Sequence, residues 1–231
     1  AAQRALKEIH HYPDSKCRAL VRKIADYLEL PESYILCGNG AADLIFSYVL
    51  AEKPKKALVT APTFSEYEQA LRTVGCDIHH VYLYTKDDFE VNENILLNLT
   101  SDLDVVFLCS PNNPTGKKIP KNLLTQILEK CVEYQIRLIL DECFYEFLEN
   151  PEEATMQAEV KNCSQLVILR AFTKMHAIPG LRLGYILCRD NSLLERMQRI
   201  RQPWSVSTVA QAAGVAAIEE GARVEKTRQY I

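Results

Sequence analysis

Two basic residues stand close together after an apolar segment of the chain. Lys174 follows the run Leu166–Leu169 within the segment Ala-Phe-Thr-Lys, and Arg182 comes eight residues later. A lysine amine forms an imine with a carbonyl when burial or neighbouring cations favour its uncharged form. An arginine offers two parallel N–H donors to a phosphate. The pair therefore indicates a site for an aldehyde cofactor that carries a phosphate, although a lysine after a strand is more commonly a solvated surface charge.

A glycine turn supplies a second possible phosphate contact. In the sequence Gly-Asn-Gly-Ala-Ala, Gly40 stands before a helical pattern whose first residues are Ala41 and Ala42. Backbone N–H groups at a helix start, together with the helix dipole, favour an anion. Taken alone, the segment is more typical of a glycine turn that binds nothing.

The loop Ser110–Gly116 is far more specific, because it crowds two prolines, two asparagines and a glycine behind an apolar run. The amide of Asn113 can donate a hydrogen bond to a phenolate oxygen on a ring. The Asn113–Pro114 bond is a candidate cis peptide. A plain turn built from turn-forming residues is the alternative.

Asp141 ends the apolar run Ile136–Leu140, where an unpaired carboxylate would be costly. A protonated ring nitrogen would give it a cationic partner, and the carboxylate would keep that ring an effective electron acceptor. The alternative is a cap for the turn that follows. Glu142 and Glu146 are predicted to be structural.

Tyr67 follows Phe64 by one helical turn, so both aromatic rings can point to one side. We predict that the Tyr67 ring stacks on the face of the cofactor. Packing in the core is the competing interpretation for this tyrosine.

Strand-like and helical runs alternate along the chain and would position these residues. The clearest unit is an apolar run at 104–109, a loop, a helical pattern at 121–134 and a second apolar run at 136–140. Strands that are apolar on both faces and alternate with helices predict a buried, mostly parallel sheet. The predicted fold class is α/β, a three-layer sandwich with helices on both faces. Ligands of such sheets bind at the carboxyl ends of the strands, where the polar segments are expected to meet.

Composition excludes several classes of protein. A net charge of −3 leaves no basic surplus, so no nucleic-acid partner is expected. The eight cysteines are scattered without a C-x-x-C spacing, which predicts small buried side chains in a reducing compartment and no metal site. No apolar stretch approaches the roughly 18 residues of a membrane span, so no membrane partner is expected and the cytoplasm is the predicted location.

These motifs, in this order, resemble the pyridoxal-phosphate-dependent enzymes of the aspartate aminotransferase fold, the class I and II aminotransferase family. The resemblance covers essentially the whole chain and is strongest in Ser110–Gly116, in Asp141-Glu142, and from Thr173-Lys174 to Pro179–Tyr185. It implies pyridoxal 5′-phosphate as the cofactor and the following site residues: Lys174, Asp141 and Tyr67 as catalytic residues, and Gly40, Ala41, Ala42, Tyr67, Asn113, Asp141, Thr173, Lys174 and Arg182 as cofactor ligands.

Within this family the chain is similar to the branch that holds histidinol-phosphate aminotransferase and threonine-phosphate decarboxylase. The segment His11–Asp14 resembles the segment of that branch whose tyrosine reaches the phosphate in the neighbouring subunit. Tyr12 thus implies a homodimer with shared sites. Two features favour the decarboxylase: Phe144, where aminotransferases of the branch generally carry tyrosine, and Gln202–Ser207, which resembles the Trp-Ser-Val segment of the decarboxylase.

The resemblance implies a lyase that releases carbon dioxide from O-phosphothreonine during synthesis of the cobalamin side chain. The alternative is an aminotransferase of the histidinol-phosphate type that passes an amino group to 2-oxoglutarate. Either substrate is a small phosphorylated molecule resembling an amino acid. A third possibility is a binding module that keeps the fold without catalysis, but the presence of Lys174, Asp141 and Arg182 argues against it.

The resemblance also predicts the domain organisation. Residues 1–220 are expected to form the pyridoxal-phosphate-binding large domain, without the N-terminal part of the small domain, and residues 221–231 to begin a truncated C-terminal small domain. One departure from the family is Ala171, where a phosphate-binding Ser or Thr is usual. Losing one hydroxyl donor would weaken cofactor binding by about 1 kcal/mol unless Thr173 or water replaces it.

Overall fold

Helices and strands alternate along the chain in the computed structural model, which describes residues 1–230. Within these residues the strands are β1 (Ile35–Gly38), β2 (Lys56–Ala61), β3 (Asp77–Tyr82), β4 (Val105–Cys109), β5 (Arg137–Asp141), β6 (Leu166–Ala171) and β7 (Gly184–Cys188). The helices are α1 (Ala2–Ala5), α2 (Arg18–Leu28), α3 (Gly40–Glu52), α4 (Glu66–Thr73), α5 (Ile95–Asn98), α6 (Lys121–Glu133), α7 (Pro151–Ala154), α8 (Gln157–Val160), α9 (Asn191–Ile200), α10 (Thr208–Ile218) and α11 (Gly221–Tyr230).

The strands form one mostly parallel sheet, as the sequence predicted. Their order across the sheet is β1-β7-β6-β5-β4-β2-β3. Only β7 runs antiparallel to its neighbours β1 and β6, whereas the other paired strands are parallel. Strand β7 is not predicted from the sequence.

Side chains that alternate along the central strands build a core on each face of the sheet. In β4, Val106 and Leu108 join the core that contains α2, α6 and α10. Val105 and Phe107 join the opposite core, which contains α3, α4 and α9. The strands are apolar on both faces because both faces are covered. The predicted three-layer α/β sandwich is confirmed.

The strand directions determine where the polar segments lie. Because β7 is antiparallel to both its neighbours, its first residue lies at the same edge of the sheet as the last residues of β1 and β6. Gly184 pairs with Gly38 on one side and with Ala171 on the other. The ends of β2, β4 and β5 lie at that edge as well. This arrangement brings together the loops that contain the predicted site residues.

Several further predictions can be compared with the structure. Six of the eight cysteines in the described residues are buried, and Cys76 and Cys163 are half-buried. None of the helices within residues 1–230 is both long and apolar enough to cross a membrane. Helix α11 begins at Gly221, where the second domain was predicted to start, and Ile231 lies outside the described residues. The division into two domains stays a prediction.

Candidate active site

A cavity of about 180 Å³ opens at the carboxyl edge of the sheet. It gathers side chains from six separate loops and strand ends, although they are far apart in the sequence. Its lining residues are Ala41, Ala42, Phe64, Cys109, Asn113, Asp141, Cys143, Phe144, Ala171, Thr173, Lys174 and Arg182. Seven residues predicted as cofactor ligands therefore meet around one space: Ala41, Ala42, Asn113, Asp141, Thr173, Lys174 and Arg182.

Lys174 lies in the turn that leaves β6 and is exposed at the cavity. Its Nζ atom is 5.0 Å from the centroid of the Phe144 ring, which also lines the cavity. A cation at that distance from an aromatic face is attracted by the ring's quadrupole. The amine is thus held at the cavity wall without being buried.

The first turn of α3 and the guanidinium of Arg182 lie against each other. Gly40 has a φ of +83°, and a Cβ atom there would be 2.6 Å from Nη2 of Arg182. Among the described residues, the side chain of the preceding Asn39 does not cap α3. The N–H groups at the start of a 13-residue helix remain available to an anion beside a guanidinium.

Gly184 explains how α3 approaches the sheet so closely. A Cβ atom at this position would be 2.9 Å from both the backbone nitrogen of Ala41 and the carbonyl oxygen of Arg170. Only a residue without a side chain permits this contact. The close approach brings the helix N-terminus to the cavity next to the end of β6.

Asp141 is the buried carboxylate of the cavity, at the end of β5 and opposite Cys109 of β4. The Tyr67 hydroxyl donates to its Oδ2 atom at 2.7 Å, and the Cys143 N–H donates to Oδ1 at 2.8 Å. Burial raises the pKa of Asp141, while these hydrogen bonds work against the rise. Within residues 1–230 the carboxylate forms no ion pair. Its environment would suit a cationic ligand.

The prediction that Tyr67 stacks on the cofactor is not supported by the structure. Its ring is fully buried and stacks on Phe107 instead, with centroids 5.2 Å apart and an interplanar angle of 22°. The ring of Phe64 lines the cavity and meets Tyr67 edge to face at 5.6 Å. The two positions differ because Phe64 precedes α4, at the sheet edge, whereas Tyr67 lies in the helix and faces the core. The position of Phe64 directly after the Pro-Thr turn was the signal that could have identified it.

The two asparagines of the loop after β4 have different environments. Asn112 is buried: the Thr63 hydroxyl donates to its Oδ1 at 2.7 Å, and its Nδ2 donates to the Pro62 carbonyl at 3.0 Å. Asn113 lines the cavity. The Asn113–Pro114 bond is cis, as the sequence indicated. Asn112 thus fastens the loop to the end of β2 and leaves Asn113 facing the cavity.

Glu142 has a structural role, as predicted. Arg170 donates to its Oε2 atom from Nη2 at 2.8 Å and from Nε at 3.2 Å, and both side chains are 2% exposed. Thr155 and the Met156 N–H complete the hydrogen bonding of the carboxylate. The guanidinium also lies 4.0 Å from the Tyr145 ring centroid.

Tyr12 was predicted to serve the site of a neighbouring subunit. Its side chain is 78% exposed and stacks on Trp204, with ring centroids 4.4 Å apart. The pair joins His11–Asp14, which resembles a segment of the whole branch, to Gln202–Ser207, which resembles a segment of the decarboxylase. The role of Tyr12 in a second subunit stays a prediction.

The family model described as aminotransferase class I and II matches residues 1–231, so the chain belongs to this family. The chain is 39% identical over 223 residues to a threonine-phosphate decarboxylase of Salmonella typhimurium, covering 96% of this chain and 61% of that protein. It is 30% identical to histidinol-phosphate aminotransferase 1 of Cupriavidus pinatubonensis, covering 99% and 60%. The chain therefore spans about three-fifths of the length of these relatives.

Among solved structures, the histidinol-phosphate aminotransferase of Clostridium acetobutylicum is similar to this chain with a TM-score of 0.89 and 29% identity. The match covers 97% of this chain and 66% of that one. The aspartate aminotransferase fold predicted from the sequence is confirmed.

Pyridoxal 5′-phosphate is the cofactor of this family, and the prediction of this cofactor is confirmed. The residues around the cavity fit it. Lys174 would supply an amine for the aldehyde, and Arg182 with the first turn of α3 would supply phosphate donors. Asp141 is a buried carboxylate held by neutral donors, and the protonated ring nitrogen would supply the cation that it lacks among the described residues.

Proposed function

We propose that the protein is a pyridoxal-phosphate-dependent lyase that decarboxylates L-threonine O-3-phosphate. The relative from Salmonella typhimurium that is 39% identical bears the name threonine-phosphate decarboxylase. A relative from Caldanaerobacter subterraneus with 34% identity bears the same name as a putative assignment. These similarities support the substrate class, a small phosphorylated amino acid.

The observation that carries the proposal is the phenylalanine beside the catalytic lysine. The centroid of the Phe144 ring lies 5.0 Å from Nζ of Lys174, and Phe144 lines the same cavity. Aminotransferases of the branch that this chain resembles generally have a tyrosine here, whose hydroxyl can donate a proton or a hydrogen bond. A phenyl ring does neither, and it makes this wall of the cavity apolar. A transaminase must move a proton between two carbon atoms, whereas a decarboxylase only has to return one.

Each site residue has a defined task in this proposal. The bound cofactor supplies an electron sink for the bond that breaks. Arg182 and the N–H groups of Ala41 and Ala42 bind the cofactor phosphate. Asp141 holds the ring nitrogen in its protonated form, and Asn113 donates to the ring oxygen. Lys174 binds the aldehyde between turnovers and returns a proton to the substrate carbon.

The second candidate function is amino transfer of the histidinol-phosphate type, with 2-oxoglutarate as acceptor. The similarity to the Clostridium acetobutylicum structure supports it, since that protein is a histidinol-phosphate aminotransferase. Both candidates use the same lysine, aspartate and arginine. Phe144 is the residue that favours decarboxylation.

The remaining parts of the proposal concern the complete protein. We place it in the cytoplasm and in synthesis of the cobalamin side chain, and we propose a homodimer whose two sites each receive Tyr12 of the other subunit. The exposure of Tyr12 and its stacking on Trp204 support a surface that meets a second copy. Residues 1–220 are proposed to belong to the large domain and residues 221–231 to the start of a small domain.

The test uses the complete protein loaded with pyridoxal phosphate. Carbon dioxide released from O-phosphothreonine is trapped and counted, and glutamate formed from 2-oxoglutarate is measured with histidinol phosphate as amino donor. We expect carbon dioxide release and little amino transfer. The Phe144→Tyr variant should gain amino transfer relative to decarboxylation. Rapid glutamate formation without carbon dioxide in the unsubstituted protein would refute the lyase.

A further inference from the structure

We propose that Tyr67 is a positioning residue for the cofactor, whose hydroxyl holds the carboxylate of Asp141 oriented and charged for the ring nitrogen. The residue thus acts through Asp141 and does not touch the cofactor itself. The inference does not depend on which reaction the cofactor supports, because it concerns cofactor binding alone.

The geometry joins two elements that are distant in the sequence. Tyr67 lies in α4 and Asp141 at the end of β5, and the hydroxyl donates to Oδ2 at 2.7 Å. The tyrosine is 0% exposed and the aspartate 4%. A buried hydrogen bond to a charged oxygen is stronger than one between neutral groups.

Neighbouring rings fix the direction of this hydroxyl. Phe107 stacks on the Tyr67 ring at 5.2 Å, and Phe64 meets it edge to face at 5.6 Å. The tyrosine therefore has little freedom to turn its hydroxyl away. The Cys143 N–H restrains the other carboxylate oxygen at 2.8 Å. Two donors on two oxygens leave the carboxylate a single orientation.

The charges around the pair give the hydroxyl a second task. Burial favours the neutral form of Asp141 and raises its pKa, and the charge of the adjacent Glu142 acts in the same direction. Burial and the Asp141 charge also raise the pKa of Tyr67 well above its ordinary value, so tyrosine remains the proton donor. The thiols of Cys109 and Cys143 are neutral as well, because burial raises the pKa of each. The hydroxyl thus helps a carboxylate without a cationic partner among the described residues to keep its charge until the cofactor binds.

The experiment measures cofactor affinity of the complete protein after the cofactor has been removed. Binding of pyridoxal phosphate is compared with binding of 1-deazapyridoxal phosphate, in which a carbon replaces the ring nitrogen. For Tyr67→Phe we expect affinity for pyridoxal phosphate to fall about ten-fold, as for loss of a hydrogen bond to a charged group. Affinity for the deaza compound should stay within about two-fold, since it has no ring nitrogen for Asp141 to hold.

Three variants serve as controls. Tyr48→Phe removes the hydroxyl of another buried tyrosine, whose ring meets the same Phe107 at 6.0 Å, and should leave both affinities unchanged. In an Asp141→Asn background, Tyr67→Phe should cause no further loss of pyridoxal phosphate affinity. A third variant with 3-fluorotyrosine at position 67 retains the hydroxyl and the fold, and should bind pyridoxal phosphate at least as tightly as the unsubstituted protein.

Equal losses of affinity for the two cofactors in Tyr67→Phe would overturn the proposal, because they would reveal a packing effect. Additive losses from Tyr67→Phe and Asp141→Asn would overturn it as well. If Tyr67→Phe does not fold, weaker binding of pyridoxal phosphate by the fluorotyrosine variant would have the same consequence.

Discussion

Two adjacent carboxylates at the end of β5 have opposite environments. Glu142 is bound by the guanidinium of Arg170 at 2.8 Å and by the hydroxyl of Thr155. Asp141 is as deeply buried, but its hydrogen-bond donors are the neutral Tyr67 hydroxyl and the Cys143 N–H. One charge is balanced within the fold, and the other has no cationic partner among residues 1–230.

This difference distinguishes Glu142, a carboxylate that stabilises the fold, from Asp141, a carboxylate that is available to a ligand. A buried ion pair that is complete contributes to holding the fold and offers nothing to a ligand. A buried carboxylate with only neutral donors is costly in the free protein, and this cost falls when a cation binds. An unpaired buried charge beside a cavity therefore indicates a ligand site more clearly than burial alone does.

The largest expected effect comes from removing the negative charge of Asp141. Asp141→Asn should lower the proposed turnover of O-phosphothreonine on the order of 1000-fold, because the amide cannot hold the ring nitrogen protonated. The free energy of unfolding of the cofactor-free protein should not fall, since a costly buried charge is lost. Steady-state kinetics and urea unfolding measure the two quantities. A large loss of stability with normal turnover would reverse the roles assigned to the two carboxylates.

Removing the charge of Glu142 should instead lower the stability of the fold and leave cofactor binding intact. Glu142→Gln keeps the acceptor for the Met156 N–H but leaves Arg170 buried without its counter-ion. The free energy of unfolding should fall by about 3 kcal/mol, while the folded protein still binds the cofactor. The matched control is Glu195→Gln, which breaks the exposed pair with Arg199 and should change stability by about 0.5 kcal/mol or less.

The pH dependence of stability should distinguish the two carboxylates further. Burial raises the pKa of Asp141 above its ordinary value of about 3.9. At a pH between this ordinary pKa and the raised pKa, the folded protein therefore binds a proton that the unfolded protein does not. The stability of the cofactor-free protein should therefore fall as pH rises through this window, by at most about 1.4 kcal/mol per pH unit. Urea unfolding at a series of pH values, in parallel with Asp141→Asn, isolates this contribution. An identical pH dependence in both proteins would contradict it.

The smallest effect is expected from replacing Thr155, the threonine that hydrogen-bonds both Glu142 and Arg170. Its hydroxyl donates to Glu142 and accepts from Nη2 of Arg170 at 2.8 Å. Thr155→Val should lower the free energy of unfolding by about 1 to 2 kcal/mol and leave cofactor affinity unchanged. Thr125→Val removes an exposed hydroxyl on α6 and is the control. A change in cofactor affinity in Thr155→Val but not in Thr125→Val would contradict this prediction, because it would link Glu142 and Arg170 to the cavity.

Much of the fold and site could be predicted because local patterns fix them. Apolar runs on both faces of a strand require cover on both sides, so the runs at 104–109 and 136–140 predicted a buried parallel sheet. The residues at the ends of those runs then had to share one edge. Strand β7 was not predicted, because residues 184–188 lie within a segment that was interpreted only for its chemistry. The direction of this strand depends on its pairing with β1 and β6, which are distant in the sequence or separated from it by a loop.

The sequence by itself determined which chemical groups the site contains: the amine of Lys174, the carboxylate of Asp141, the guanidinium of Arg182 and the amide of Asn113. Their residue types and order along the chain were sufficient for that. Only the tertiary structure decided that Phe64 and not Tyr67 lines the cavity, and that Glu142 is paired while Asp141 is not. Both outcomes depend on contacts such as Tyr67 to Asp141, which are 74 residues apart and meet only when the helix packs on the sheet.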